Sequence, residues 1–201
     1  TECYNNNFSL QQTITGLTPG KYRVSCQGFY RAGGYADAAT KHQNSTEEQN
    51  VTLFANDVTK PLVSIFSEAG KIGEVGVNTN AGWIPNNTTQ GAQYFDKGLY
   101  NNSIEVTVQT DGTLTLGLKK ENKVGADWTM IDNFKLEYLG ADNSKVLNDT
   151  KTECNTLLSS SEYTHVTGKE RTDLKQIVSE LTEANILTKS PEVINLCTAF
   201  K

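Results

Sequence analysis

Basic residues are scarce in this sequence: 18 lysines and arginines stand against 23 aspartates and glutamates, for a formal net charge of -5 over 201 residues. No Lys/Arg stripe exists to displace counterions from phosphates, so a nucleic-acid partner is not expected, and an acidic membrane surface is disfavoured for the same reason. No run of about 18 apolar residues occurs, so no membrane insertion is expected. The two histidines, His42 and His165, fall on polar segments and give a Ser/His/Asp triad no support. GxSxG, HExxH and phosphate-cradling glycine motifs are missing, and no spacing singles out two carboxylates for glycoside hydrolysis. An enzyme is therefore not expected. The four cysteines, Cys3, Cys26, Cys154 and Cys197, show neither CxxC nor Cys/His spacing, which speaks against zinc and thioredoxin-like chemistry. A basic-then-apolar leader is also lacking. The chain opens abruptly at "TECYNNNFSL" and ends at "SPEVINLCTAFK" in what reads as a young helix, so a fragment is expected.

Asn, Thr, Ser and Gly are abundant, while charged residues are only 20%. That polar, uncharged texture suits turn-rich β proteins working outside the cell. The length allows one domain of about 100 to 150 residues plus a smaller element.

Along the chain, Phe8, Leu10 and Ile14 alternate, "GLTPG" supplies turn residues, and Tyr22, Val24 and Cys26 resume the period of two. This pattern predicts an antiparallel strand pair with Cys26 as a small buried hydrophobe. "RAGGYADAATKHQNSTEEQN" has no sustained period and reads as a long excursion from the sheet. "VTLFAND" and "PLVSIF" are short β-type runs, and residues 67–93 read as mostly irregular. "SIEVTVQTDGTLTLGLKK" places Ile104, Val106 and Val108 opposite Leu114, Leu116 and Leu118 about Asp111-Gly112, which predicts a two-residue hairpin. "ADWTMIDNFKLEYLG" supplies the closing strand, for six to eight strands in a two-layer sandwich.

After Gly140 the period changes. Leu147, Cys154, Leu157 and Leu158, then Leu174, Ile177, Val178 and Leu181, then Val193, Ile194 and Cys197 recur at helical spacing. Thr167 with Glu170 forms a capping-box pattern, and Ser190-Pro191 offers an N-cap and first-turn proline for a third helix of about three turns. The chain is thus expected to hold a β-sandwich over 1–140 and a helical hairpin or three-helix bundle over 141–201. Cys154 and Cys197 both fall on apolar helix positions; whether they are bridged stays open, since an even count proves no pairing.

The combination of "LTPGKYRVSCQGFYRAGG", "VTLFAND", the Asp-Gly turn and "DWTMIDNFKLEYLG" resembles the galactose-binding-domain-like jelly rolls, which include many carbohydrate-binding modules. It is most similar to versions in secreted and surface proteins of glycan-degrading gut bacteria, over about residues 1 to 140. "YTHVTGKERTDLKQIV" and "SPEVINL" more weakly resemble small three-helix modules of bacterial surface proteins. The resemblance implies an exported, non-catalytic module that binds a glycan or surface polysaccharide. The alternative is a spacer or protein-adhesion unit with no sugar site. It also makes the N-x-S/T triplets at Asn44, Asn50 and Asn87 chance features of an Asn/Thr-rich chain, because they matter only in a eukaryotic secretory host.

Sugar binding needs exposed aromatic faces to stack on a pyranose and polar groups to reach its hydroxyls. Candidates are Trp83 in "NAGWIPN", Tyr94 in "GAQYFDKG", Tyr35 after a double glycine, and Arg31 at the end of "GFYR"; Trp128 reads as core. Asp132 falls on the apolar side of the closing strand, and two readings of it stand. The resemblance implies a structural calcium held by Asp132 and Glu2, with further oxygens completing a shell of about six to eight. The other reading is a β-bulge at Ile131-Asp132, with Trp128 and Met130 alternating in one register, Phe134 onward in another, and Asp132 capping backbone N–H groups.

Overall fold

The computed structural model describes residues 1–166 and 168–200. The chain divides into two compact units, Thr1–Gly140 and Ala141–Lys201. It is mostly β: among the described residues, ten strands pair in antiparallel sheets, accompanied by five α-helices. In chain order the first unit contains β1 (Glu2–Tyr4), β2 (Phe8–Ile14), β3 (Gly20–Arg31), α1 (Tyr35–Gln43), β4 (Val51–Ala55), β5 (Val58–Pro61), β6 (Val77–Thr79), β7 (Gly82–Ile84), α2 (Thr88–Asp96), β8 (Asn101–Val108), β9 (Leu114–Lys120) and β10 (Trp128–Gly140).

Two four-stranded sheets carry the unit, one in the order β1-β10-β3-β8 and the other β2-β9-β4-β5, with β6 and β7 forming a separate two-stranded ribbon. Side chains from both sheets meet in one apolar cluster that includes Val24, Cys26 and Tyr30 of β3, Leu53 of β4, Val106 of β8 and Leu118 of β9. Cys26 is buried there, and burial pushes its thiol up to about 12. The first sheet is also covered on its other face over part of its length. Phe29, Trp128 and Met130 point away from the common core into a second cluster with Ile65, Phe66, Tyr94, Phe95 and Tyr100. This double covering explains why β3 alternates in burial over its first half and is buried throughout its second. A half-covered sheet reads as alternation, whereas a strand covered on both faces reads as a continuous run.

Several expectations from the pattern are corrected. The Asp111-Gly112 turn does not close a two-residue hairpin: β8 pairs with β3, and β9 pairs with β2 and β4. The segment between them crosses from one sheet to the other, so Val106 and Leu116 meet within the core rather than along a ladder. Gly112, at φ +65°, closes a local turn through its N–H to the Gln109 carbonyl, and its own carbonyl accepts from Leu17 N–H. The β2 and β3 strands likewise belong to different sheets and are not a hydrogen-bonded pair. Period-two patterning says which side of each strand is buried, and strands facing each other across a core satisfy it as well as strands side by side. Of "PLVSIF" only Pro61 lies in a strand, as the end of β5; Ser64 caps a 3-10 turn over Ile65–Glu68 by accepting the Phe66 N–H. The excursion after Arg31 contains α1, and the 67–93 region contains β6, β7 and the start of α2.

The closing strand answers the Asp132 question with a bulge. Asp132 pairs with Gln27 and Lys135 with Ser25, so β10 carries one extra residue there. Asn133 takes φ +54°, Asp132 Oδ1 accepts the Asn133 N–H at 2.8 Å, and the Asn133 amide donates to Gln27 Oε1. Ile131 faces the common core before the bulge and Leu136 packs on it after, which is the parity change an inserted residue imposes. Asp132 itself is exposed, so no buried charge needs explaining.

The second unit consists of α3 (Ser144–Ser159), α4 (Lys169–Glu180) and α5 (Ile186–Phe200). Cys154, Leu157, Leu174, Ile177, Leu181, Val193, Cys197 and Phe200 form its core. Thr167 of the expected capping box lies outside the described residues. The last helix does not begin at Ser190-Pro191. It starts at Ile186, carries Pro191 inside, and runs 15 residues. Asn185 Oδ1 accepts the Thr182 N–H, Ile186 and Lys189 bond back to Thr182 and Asn185, and so the first turn is already made before the proline. Ser190 Oγ donates to the Ile186 carbonyl instead of capping.

Candidate functional site

Three adjacent strands place a row of large side chains at one end of the first sheet. Tyr4 of β1 lies opposite Trp128 of β10, and Trp128 lies opposite Arg31 of β3. Cross-strand partners share a face, so all three project to the side that the second apolar cluster covers further along. Beyond Arg31 the chain turns through Gly33, at φ +97°, and begins α1 at Tyr35. Asn87 caps α2 by accepting the Gln90 N–H at 2.9 Å, which fixes Asn86, Asn87 and Thr88 beside the row. Together these residues, with Glu2 and Ala126, line an open cleft of about 530 Å³, within the usual range for a small-molecule site.

Arg31 is its centre. The side chain is only 5% exposed. Its Nε–H donates to the Gly33 carbonyl at 2.9 Å, one Nη to Asn86 Oδ1 at 2.9 Å and the other to the Ala126 carbonyl at 3.4 Å. The guanidinium carbon lies 5.5 Å from the centre of the Trp128 ring. A guanidinium has five N–H donors, so two find no protein acceptor among the described residues. Burial lowers the Arg31 pKa from its ordinary value, while Tyr4, Asp127 and Tyr35 oppose that shift. Around it, Tyr4 is 58% exposed and Tyr35 is 42% exposed, so both phenol rings offer faces to solvent. Trp128 is buried and forms the floor; its indole N–H donates to Glu2 Oε2 at 2.9 Å.

Arg31 and Tyr35 are thus brought together as the sequence suggested, but the other two aromatic candidates are not. Tyr94 is fully buried in α2, its ring 5.5 Å from Tyr100 and its hydroxyl donating to the Trp83 carbonyl at 3.0 Å. It cannot stack on a ligand. Its segment reads as a loop because Gly91, where a side chain would collide with Met130, interrupts the helical signal. Trp83 is half-buried in the β6–β7 ribbon, opposite Asn78, and does not line the cleft.

Glu2 and Asp132 line different clefts. Glu2 sits opposite Met130, between Trp128 and Asp132 on that face, and turns its carboxylate to Trp128. Asp132 instead lines a different cleft with Leu10 and Phe134. Among the described residues no group of three or more His, Cys, Asp or Glu is placed to hold a metal. His42 and Ser64 both bond to Glu47, which stands between them, so the imidazole does not serve the hydroxyl; the chain of contacts fastens the segment after α1.

Tyr4, Asn86 and Asn87 were not legible as site residues. Tyr4 follows Cys3 at the head of an Asn-rich stretch, and only pairing with a strand 124 positions away gives it a place. Trp128 was legible as core but not as a floor. No protein-family model matches the chain, and no curated protein sequence matches it. No helix among the described residues is long and apolar enough to cross a membrane.

Proposed function

We propose that the first unit is a jelly-roll β-sandwich acting as a non-catalytic glycan-binding module, followed by a three-helix bundle, in an exported bacterial surface protein or glycan-degrading enzyme. The sugar occupies the Arg31 cleft. The observation that carries this reading is the pairing of two exposed tyrosine rings with a buried guanidinium that has N–H donors to spare. Apolar ring faces match the C–H face of a pyranose, and Arg31, Glu2, Asn86 and Asn87 supply donors and acceptors for its hydroxyls. The local charge supports a neutral sugar, because Glu2 and Arg31 line the same cleft.

A glycan array followed by calorimetry on the hit, with and without calcium, tests it. Tyr35→Ala is expected to weaken binding about ten-fold, equivalent to about 1.4 kcal/mol of lost stacking. Trp83→Ala is expected to leave affinity unchanged. A folded chain that binds nothing on the array would replace this reading with that of a spacer or protein-adhesion unit.

A further inference from the structure

The helical unit contains a feature unrelated to the sugar cleft. Cys154 of α3 and Cys197 of α5 are 43 positions apart in sequence, yet their sulfurs lie 3.6 Å apart in the buried core. Two sulfurs in van der Waals contact need an approach of only about 1.5 Å to reach the 2.05 Å of a disulfide, a distance that small side-chain rotations on two neighbouring helices supply. Cys3 and Cys26, by contrast, are buried in the first unit and make no sulfur contact among the described residues.

The pair is also reachable. A cleft of about 340 Å³ lined by Thr150, Glu153, Ser190 and Thr198 opens onto both cysteines. Cys197 is the more exposed of the two, at 9% against 0%. Burial and the neighbouring thiol push the Cys154 thiol up to about 12, and as the fully buried sulfur of the two it is placed to attack second, after the more exposed Cys197 has met the oxidant.

We propose that Cys154 and Cys197 form an intramolecular disulfide that ties α3 to α5 when the chain meets a disulfide oxidant. The Cys197 thiolate attacks one sulfur of the oxidant, forming a mixed disulfide and expelling one thiolate. The Cys154 thiolate then attacks the Cys197 sulfur and expels the second. Two protein thiols lose two protons and two electrons, and the oxidant disulfide is reduced to two thiols.

The test uses the full folded chain with oxidised glutathione as the probe, followed by alkylation under denaturing conditions, because all four thiols are buried, and mass spectrometry. The expected result is a fall from four alkylatable thiols to two, with tryptic peptide 152–169 joined to peptide 190–201 and released by reduction. In Cys154→Ala the joined peptide is expected to vanish and glutathione to remain on Cys197; circular dichroism checks that this variant is folded. Retention of all four thiols by the folded chain, or a bridge that includes Cys3 or Cys26, would overturn the proposal, and neither outcome bears on the sugar cleft.

Discussion

Replacing Asp127 with alanine is expected to cost the first unit about 3–5 kcal/mol, the range seen when one partner of a buried ion pair is removed. Lys120 Nζ lies 2.7 Å from Asp127 Oδ1, and neither side chain has any exposure. The contact lacks the directionality of a hydrogen bond, so the ammonium is held as an ion against the carboxylate. The rings of Phe8 and Tyr30 lie 5.6 and 5.7 Å from the same nitrogen and add cation–π attraction on its flanks. The second carboxylate oxygen is also in use: it accepts the Val124 N–H at 2.9 Å and the Tyr30 hydroxyl at 3.4 Å. Without Asp127 a desolvated ammonium is stranded and two donors lose their acceptor at once.

Lys120→Met also strands a buried charge, but it should cost less, because the carboxylate keeps both of those donors and the new side chain fills the space. Urea unfolding of the two single variants and the double variant measures the coupling. A loss under about 1 kcal/mol for Asp127→Ala would show that the ion pair is not holding the strand ends. The same substitution reaches the candidate site. Asp127 accepts Asn5 N–H through its backbone carbonyl, and Ala126 beside it accepts from Arg31, so loosening residues 124–128 removes one wall of the cleft.

The pair also shows what the sequence could not convey. Lys120 ends "LGLKK" as any solvated strand end would, and Asp127 sits between alanine and tryptophan with no visible partner. Their meeting depends on β9 and β10 belonging to different sheets. Strand faces were readable because the period of two reports burial directly: Val24, Cys26, Val106 and Leu116 all reach the core as their alternation requires. Strand neighbours were not, because the Asp-Gly turn and the "GLTPG" turn both join strands of different sheets. Arg31 and Tyr35 were readable as site residues because a strand end followed by a double glycine marks the rim of a sheet. Tyr94 was misread for a physical reason: nine residues of α2 carry only Tyr94, Phe95 and Gly91 on the buried side, too short a run for helical periodicity to outweigh its polar and glycine-rich flanks.

Tyr94→Ala is accordingly expected to lower stability by about 3–5 kcal/mol, as for other large aromatic side chains removed from a core. The ring has no exposure and packs 5.5 Å from Tyr100, which in turn lies 4.8 Å from Phe29 of β3. Its hydroxyl ties α2 to the β6–β7 ribbon through the Trp83 carbonyl, and burial raises its pKa above the ordinary phenol value. Tyr94→Phe keeps the ring and loses only the hydroxyl's bonds to the Trp83 and Val75 carbonyls, a cost of about 1 kcal/mol. The comparison separates a core role from a ligand platform. A platform residue truncated to alanine would weaken glycan binding and leave the thermal midpoint where it was. A core residue lowers the midpoint, and binding falls only as α2 loosens its grip on Asn86, the acceptor that holds Arg31 in place. Thermal melts of both variants, read beside their affinities for the glycan that the array test of the proposed function identifies, distinguish the two; an unchanged midpoint in Tyr94→Ala would return Tyr94 to the binding surface.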